Sequence, residues 1–364
     1  MLNLSIMSEA AALAGYTITG TTGQDVINKA RALRRVNLIK ADIISRYGGK
    51  WDANYREGWL SLAPLYNTGT ADFTLNSRTV TGTATVWTTA MKGRKIRGAD
   101  GAYYKIASVT SNTALVLTQP YQSATSLLAS YQIWQDEYVV CPEALTIGGF
   151  LDYQVSGIMS EAFPRNMKDS YTTPASVDVP TVYTVIGRKP LSATYSTGTV
   201  SGTINTCTLT GSGTAWLANI EPGFEITLGA YKYHVKSVNS DTEIELYQQL
   251  VVAVSGLTYS AVGKNALVVR FKQPTTQRIV NYWFWAKDYP FVNDNDEDWI
   301  AETFPKVIIN GMTYYDYIDK NDPVRADRAS IAYENSIKDM KVAIDSAMTG
   351  VRTLGYYIPD NARD

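Results

Sequence analysis

Two stretches of this chain are copies of one another, and no other feature constrains its folding as strongly. Residues 79–121 read TVTGTATVWTTAMKGRKIRGADGAYYKIASVTSNTALVLTQPY, and residues 208–250 read TLTGSGTAWLANIEPGFEITLGAYKYHVKSVNSDTEIELYQQL. Gly82 answers Gly211, Trp87 answers Trp216, Tyr104 answers Tyr233, Val109 answers Val238, Thr113 answers Thr242 and Leu117 answers Leu246. Each pair is 129 positions apart, with one compensated single-residue slip around Gly93 and Gly223. Unrelated segments do not hold one register for so long. A small module has been duplicated within the chain.

The shared positions carry the physics of the module. Thr, Val, Tyr and Ser alternate with period two, as in half-buried strands. Ala71-Asp72-Phe73-Thr74-Leu75 alternates ahead of the turn-forming Asn76-Ser77, and Tyr104-Lys105-Ile106 and Leu115-Val116-Leu117 are further short strands. Ser111-Asn112-Thr113 and Ser240-Asp241-Thr242 lie between strand patterns, as hairpin turns do. Gly82 and Gly211 end a strand where a positive φ or close packing requires glycine. Trp87 and Trp216 are the largest apolar side chains of their copies and are expected to centre two small cores with Tyr104 and Tyr233.

A different β-texture surrounds the modules. It runs from Asp136-Glu137-Tyr138-Val139-Val140-Cys141-Pro142 to Val182–Gly187, and resumes at Ala266–Phe271 and Val280–Ala286. One host domain interrupted by two insertions is the economical arrangement, because loop closure costs little more as loops lengthen.

Both ends read as helical. Leu2–Leu13 ends at Gly15, and Thr22-Gly23-Gln24-Asp25 has the form of a capping box. It opens an apolar series at Val26, Ala30, Leu33, Val36 or Asn37, and Lys40, continued by Ile39 and Ile43 and stopped at Gly48-Gly49. Lys29, Arg31, Arg34, Arg35 and Lys40 are read as the solvated outer face. Near the other end, Thr303 is read as an N-cap with Pro305 in the first turn. Asp322-Pro323 opens a long helix whose stripe Ala329, Tyr333, Ile337, Met340, Ile344 and Ala347 is stopped at Gly350. Each terminal helix needs a partner for one apolar face, and the two ends supply it for each other.

The expected fold is therefore α+β and β-rich. A helical bundle comes from both chain ends (1–65 with 300–350), and a host β-sandwich or barrel spans 136–195 with 262–299. The inserted, duplicated β-modules are 66–135 and 196–261, and 351–364 is a C-terminal tail.

Residues that carry chemistry are scarce. Among 364 residues there are 25 tyrosines but one histidine and two cysteines. His234 alone supplies no multi-histidine metal site, and Cys141 and Cys207 allow at most one disulfide. His234 sits in a strand where the other copy has Lys105, so it reads as a half-exposed strand residue rather than a base. The acidic run Asn293–Asp298 begins like a calcium loop, but Trp299 stands where glycine is needed and Pro305 where the bidentate glutamate belongs. It reads as a solvated turn ahead of a helix. No phosphate-binding glycine motif is visible. No catalytic, metal or cofactor-binding residue is assigned, and the chain is not expected to be an enzyme. With 33 basic and 34 acidic residues the net charge is −1, so no global field attracts nucleic acid or anionic lipid. The start, MLNLSIMSEAAALAGY, lacks the features of a signal peptide, and no apolar run is long enough to span a bilayer. A product of the cytoplasm with reduced thiols is expected.

The layout resembles the head-to-tail adaptor (connector) proteins of tailed bacteriophages. The resemblance rests on the N-terminal helical region ending in the aromatic-rich Trp51–Trp59 stretch, and on Glu137-Tyr138-Val139-Val140-Cys141-Pro142-Glu143. It rests further on the strand pair Val182-Tyr183…Gly187-Arg188 and Val268…Phe271-Lys272-Gln273-Pro274, and on the closing Phe304-Pro305 and Asp322–Met348 helices. The inserted Gly-Thr-x-x-Trp modules are similar to modules of phage virion proteins. The resemblance implies a homo-oligomeric, commonly dodecameric ring under the portal, joining capsid to tail in the virion neck, with subunits made in the bacterial cytoplasm. It implies portal protein and a tail or nozzle protein as partners, no membrane, and DNA passing through without specific binding. A neutral total charge suits such a passage. The candidate partner interface is Tyr333, Ile337, Met340 and Ile344 on the helical subdomain, with Tyr356, Tyr357 and Ile358 as a docking strap in the tail. Obligate contacts of this kind bury on the order of 2,000 Å² or more. The alternative is a tail-fibre or carbohydrate-binding protein that uses the duplicated modules.

Overall fold

In a computed structural model that describes residues 2–13, 23–47, 54–152, 157–162, 180–189, 194–293, 295–296 and 298–355, each copy of the repeat closes around its tryptophan. The strand order of the first copy is Gln132–Trp134, Lys95–Arg97, Tyr103–Ser111, Ala114–Leu117, Thr79–Thr83, Thr70–Phe73 and Ser126–Ala129. The second repeats it as Ser260–Val262, Glu225–Leu228, Tyr231–Ser240, Glu243–Leu246, Thr208–Ser212, Thr199–Gly202 and Val254–Leu257. All neighbours are antiparallel. An added edge strand in the second copy, Thr194–Tyr195, pairs with Val262 and Ala261. Its counterpart is the single bridge between Tyr66 and Ile133. The duplication therefore runs from Tyr66 and Tyr195, beyond the stretch where the sequences align by eye.

Backbone geometry repeats as closely as topology. Left-handed residues recur at Gly69 and Gly198, Asn76 and Asn205, and Gly93 and Gly223. Gly82 and Gly211 are there for close packing. A Cβ on Gly82 would lie 2.9 Å from Trp87 Cη2, and one on Gly211 would lie 2.8 Å from Trp216 Cη2. The slip has a local cause. A 3-10 turn at Thr89–Met91 is replaced in the second copy by a four-residue helical turn, Trp216–Asn219. The next hairpin compensates, since Arg97 pairs with Tyr103 but Thr227 with Lys232.

The chain divides into two units: Met1–Tyr55 with Pro190–Lys264 and Trp285–Asp364, and Arg56–Lys189 with Asn265–Phe284. The first unit holds the helices and the second module. The second holds the first module and a two-sheet sandwich.

In the first unit, Leu2–Leu13, Gly23–Tyr47, Trp299–Thr303, Pro305–Asp319 and Pro323–Gly355 share one core. The chain ends thus form one helical bundle. Gly23–Tyr47 buries Ala32, Val36, Ile39 and Ile43 at spacings of four and three, whereas Ala30 is exposed. Arg35 and Lys40 depart from the expected outer face, because each is drawn inward by carboxylates. Arg35 pairs with Asp316 and Asp319, and Lys40 with Asp288 at 3.2 Å and Asp298 at 2.6 Å. Thr303 ends a short helix rather than capping the next one. Asp298 caps that short helix by accepting from Ala301 N, and Phe304 precedes Pro305. Asp322 accepts from Arg325 N at the start of the long helix. That helix passes Gly350 and reaches Gly355, so 351–355 belongs to it rather than to a tail. Thr22, Gly48-Gly49, Trp51 and the segment 356–364 lie outside the described residues.

In the second unit, strands Tyr55–Leu62, Arg278–Ala286, Ala144–Asp152 and Gly157–Ile158 form one sheet. Ser160–Glu161, Val182–Lys189, Ala266–Phe271 and Glu137–Val139 form the other. The strand pair read from the sequence is antiparallel, Tyr183 opposite Phe271, with a bulge between Val185 and Gly187. Phe150 lies between the sheets, its ring 4.7 Å from Tyr183, 4.8 Å from Phe271 and 5.6 Å from Tyr282. Such aromatic clusters add about 0.5–1.5 kcal/mol per pair beyond area burial.

Two left-handed positions separate the copies. Ala84 (φ +55°) stands where the second copy has Gly213 (+68°), and Leu128 (+49°) where it has Gly256 (+60°). A left-handed L-residue costs roughly 1–2 kcal/mol. Ala84→Gly is expected to raise, and Gly213→Ala to lower, stability by about 1 kcal/mol in urea titrations. Space does not decide this, because a Cβ on Gly213 meets only Gly198 Cα at 3.8 Å.

Candidate functional site

The four residues read as module core are all buried, Trp87 with Tyr104 in one cluster and Trp216 with Tyr233 in the other. Each indole N–H has a partner that the sequence reading did not name. Trp87 Nε1 donates to Tyr131 Oη at 3.0 Å, and that hydroxyl donates to the Thr68 carbonyl at 2.5 Å. In the second copy Trp216 donates to Tyr259 at 2.8 Å, and Tyr259 to Thr197 at 2.8 Å. Burial holds the Tyr131 hydroxyl well above its ordinary range and that of Tyr259 up to about 12. These phenols are hydrogen-bonding struts and not acids.

The candidate interface residues of the long helix face inward. Tyr333, Ile337 and Met340 are buried in the helical core, with Ile344 packed against it. Tyr333 donates to Asp42 Oδ2 at 2.9 Å, and burial raises its hydroxyl pKa further. In the folded subunit this face is covered by the chain's own helices. The opposite side of the same helix exposes Val324 and Ile331, at 63% and 61%. They are seven residues apart, two helical turns, and so share a line. Tyr356, Tyr357 and Ile358 lie outside the described residues.

The second module is held to the helices of its own unit by the segment 289–296. Tyr289 stacks on His234 with ring centroids 4.1 Å apart and lies 4.9 Å from Tyr247. Gln248 Nε2 donates to the Pro290 carbonyl at 3.1 Å, and Gln248 Oε1 accepts from His234 N at 2.8 Å. Of the acidic run, Asp294 and Glu297 lie outside the described residues, and Asp296 is not a solvated turn residue. Asp296 is 1% exposed and accepts from the backbone N–H groups of Gln249, Val292 and Asn293 at 2.6–2.8 Å. Three such bonds replace its lost hydration, so a buried carboxylate is tolerated without a metal.

In each module a residue just past the last strand pairs with one on the neighbouring strand, with opposite polarity. Lys95 Nζ meets Asp136 at 2.7 Å in the first, and Glu225 meets Lys264 Nζ at 2.7 Å in the second. Asp136 is also 3.4 Å from Arg270, whose other nitrogen bonds Glu137 at 2.5 Å. Beside this clamp the first module has a pocket of about 240 Å³, with Arg94, Tyr103, Lys105 and Gln119 in its wall.

Among the described residues, no group of three His, Cys, Asp or Glu is placed to hold a metal, and Cys141 and Cys207 are not joined in a disulfide. No described helix is long and apolar enough to cross a membrane.

His234 gives this joint a pH dependence. Burial pushes its pKa down to about 4. Glu225 and the Gln248 hydrogen bond pull against that shift, while Lys287 and Lys264 add to it. The neutral ring's contribution is complete above the ordinary value of 6.5 and is lost as pH falls through about 4. Asp288 runs the other way. Burial raises it to about 6 against the pull of Lys40, with Asp298 adding to the rise. Its stabilising protonated form is lost as pH rises from its ordinary value through about 6. His234→Phe is expected to remove on the order of 2 kcal/mol of the stability change between pH 7 and 4.5, read from urea titrations at each pH. Asp288→Asn is expected to flatten the opposing slope between about pH 4 and 6.

Comparison of the chain with known protein families, curated proteins and solved structures finds no match.

Proposed function

We propose that the chain is a structural virion protein, the head-to-tail adaptor of a tailed phage, which assembles as a ring under the portal and lines the DNA passage. The reading starts from the order of elements, with a helical bundle closed from both chain ends around β-domains. The observation that carries it is the long helix Pro323–Gly355. Its inner stripe is satisfied within the subunit, while Val324 and Ile331 present a separate apolar line outward. A helix that has already buried one face needs no second apolar line for its own folding, whereas a ring subunit needs a surface for its neighbour. Carboxylates such as Asp296, Asp298 and Asp316 serve backbone N–H groups or structural cations, as suits a building part. The carbohydrate-binding alternative needs exposed aromatic platforms on the modules, and both module tryptophans are core residues.

Negative-stain imaging and light scattering of the purified chain, with and without portal protein, test the proposal. Discrete rings are expected, in solution or on the portal. Ile331→Asp and Val324→Asp are expected to weaken assembly at least about tenfold, about 1.4 kcal/mol, while leaving the thermal melt unchanged. Removal of residues 356–364 measures the strap separately. A chain that stays monomeric with portal present and binds glycans sinks the adaptor reading.

A further inference from the structure

We propose that the pocket of the first module is a docking site for a partner protein's peptide segment, one that carries an aromatic residue next to an acidic one. The duplication supplies the argument. Lys105, Thr118 and Gln119 of the pocket wall correspond to His234, Tyr247 and Gln248, each 129 positions on. The backbones match as well, Thr118 N donating to Lys105 O at 2.8 Å and Tyr247 N to His234 O at 2.9 Å. In the second module that surface is occupied. Tyr289 lies against His234 and Tyr247, and the Pro290 carbonyl accepts from Gln248. The occupant is a short piece of this chain, Tyr289-Pro290. In the first module the corresponding surface is an open pocket.

The pocket's size and charge select the occupant. About 240 Å³ is below the roughly 300–1,000 Å³ of small-molecule sites, and suits one inserted side chain better than a cofactor. Its two carboxylates are already matched, Asp136 by Lys95 and Glu137 by Arg270. Arg94 and Lys105 have no ion pair among the described residues, and Arg94 Nε is buried without a hydrogen-bond partner. These cations call for a carboxylate. Lys105 stands where the second module has His234, and Thr118 where it has Tyr247; with Tyr103 beside them, the wall offers an aromatic face and a cation to a ring. The site belongs to the first module in whatever assembly the chain joins, so it stands apart from the adaptor reading.

A fluorescein-labelled peptide copying residues 285–293 (WAKDYPFVN) is the probe, titrated into the full-length protein by fluorescence anisotropy. The second module's own segment is tethered, at an effective concentration of about millimolar, and so excludes the probe there. Saturable binding at one peptide per chain is expected, and Lys105→Glu or Gln119→Ala should weaken it about tenfold or more. Replacing the tyrosine of the peptide with alanine, or its aspartate with lysine, should do the same. Lys338→Glu, on the exposed face of the long helix, should change nothing. Lys105 and Gln119 are exposed, so both variants fold. Binding no tighter than that of a scrambled peptide overturns the proposal, as does binding indifferent to Lys105→Glu and Gln119→Ala. Displacement of the probe by inorganic phosphate or a glycan at concentrations equal to those of unlabelled peptide also overturns it.

Discussion

Burying an indole without a partner for its N–H is costly, and most of the architecture of each module follows from meeting that demand for Trp87 and Trp216. Leaving the donor unpaired costs about 1–3 kcal/mol, a large share of what so small a core supplies. Tyr131 and Tyr259 provide the acceptor from the residue just before the last strand of their modules, then pass the hydrogen bond to a carbonyl just before the strand Thr70–Phe73 or Thr199–Gly202. One chain of two hydrogen bonds therefore ties the beginning, middle and end of each module. The glycine opposite the indole and the left-handed glycine beside the accepting carbonyl then become obligatory, since a side chain at either would push the ring or the turn away. The same demands produce the same order of seven strands from sequences that have otherwise diverged.

The helical unit depends on a second desolvation problem. Arg35 and Lys40 lie inside the bundle and are held by carboxylates from the distant C-terminal half of the chain. Buried pairs of this kind add little net stability over apolar residues, but losing one partner is severe because a bare charge remains. They fix which helices meet and in what register, a role that apolar stripes alone fill poorly. The same economy governs Asp296, whose oxygens are used up on backbone donors in the joint with the second module.

Legibility in the sequence tracks whether a residue's role is local. The duplication was readable from Trp87 and Trp216, because both copies keep the same large side chain for the same reason. Tyr66 and Tyr131 escaped notice although Tyr195 and Tyr259 stand 129 and 128 positions away. They lie beyond the conspicuous stretch, and their task shows only once the sheet has closed. The apolar stripes predicted the bundle, but Lys40 and Arg35 could not be told from surface charges, since their partners are some 250 to 280 positions distant. The pocket was invisible for the opposite reason. Its open face is set by residues at which the copies differ, Lys105 against His234 and Thr118 against Tyr247, and likeness between the copies does not reveal them.

Divergence also bears on how two copies of one module can share a chain. Repeats in a single chain invite exchange of equivalent strands, a characteristic failure of such proteins. Here the last strand of each module is followed by a charged residue that closes on the central hairpin, Asp136 on Lys95 and Lys264 on Glu225. Exchange of those strands would set lysine against lysine and carboxylate against carboxylate. The inverted polarity thus disfavours that exchange and favours pairing of each closing strand within its own module.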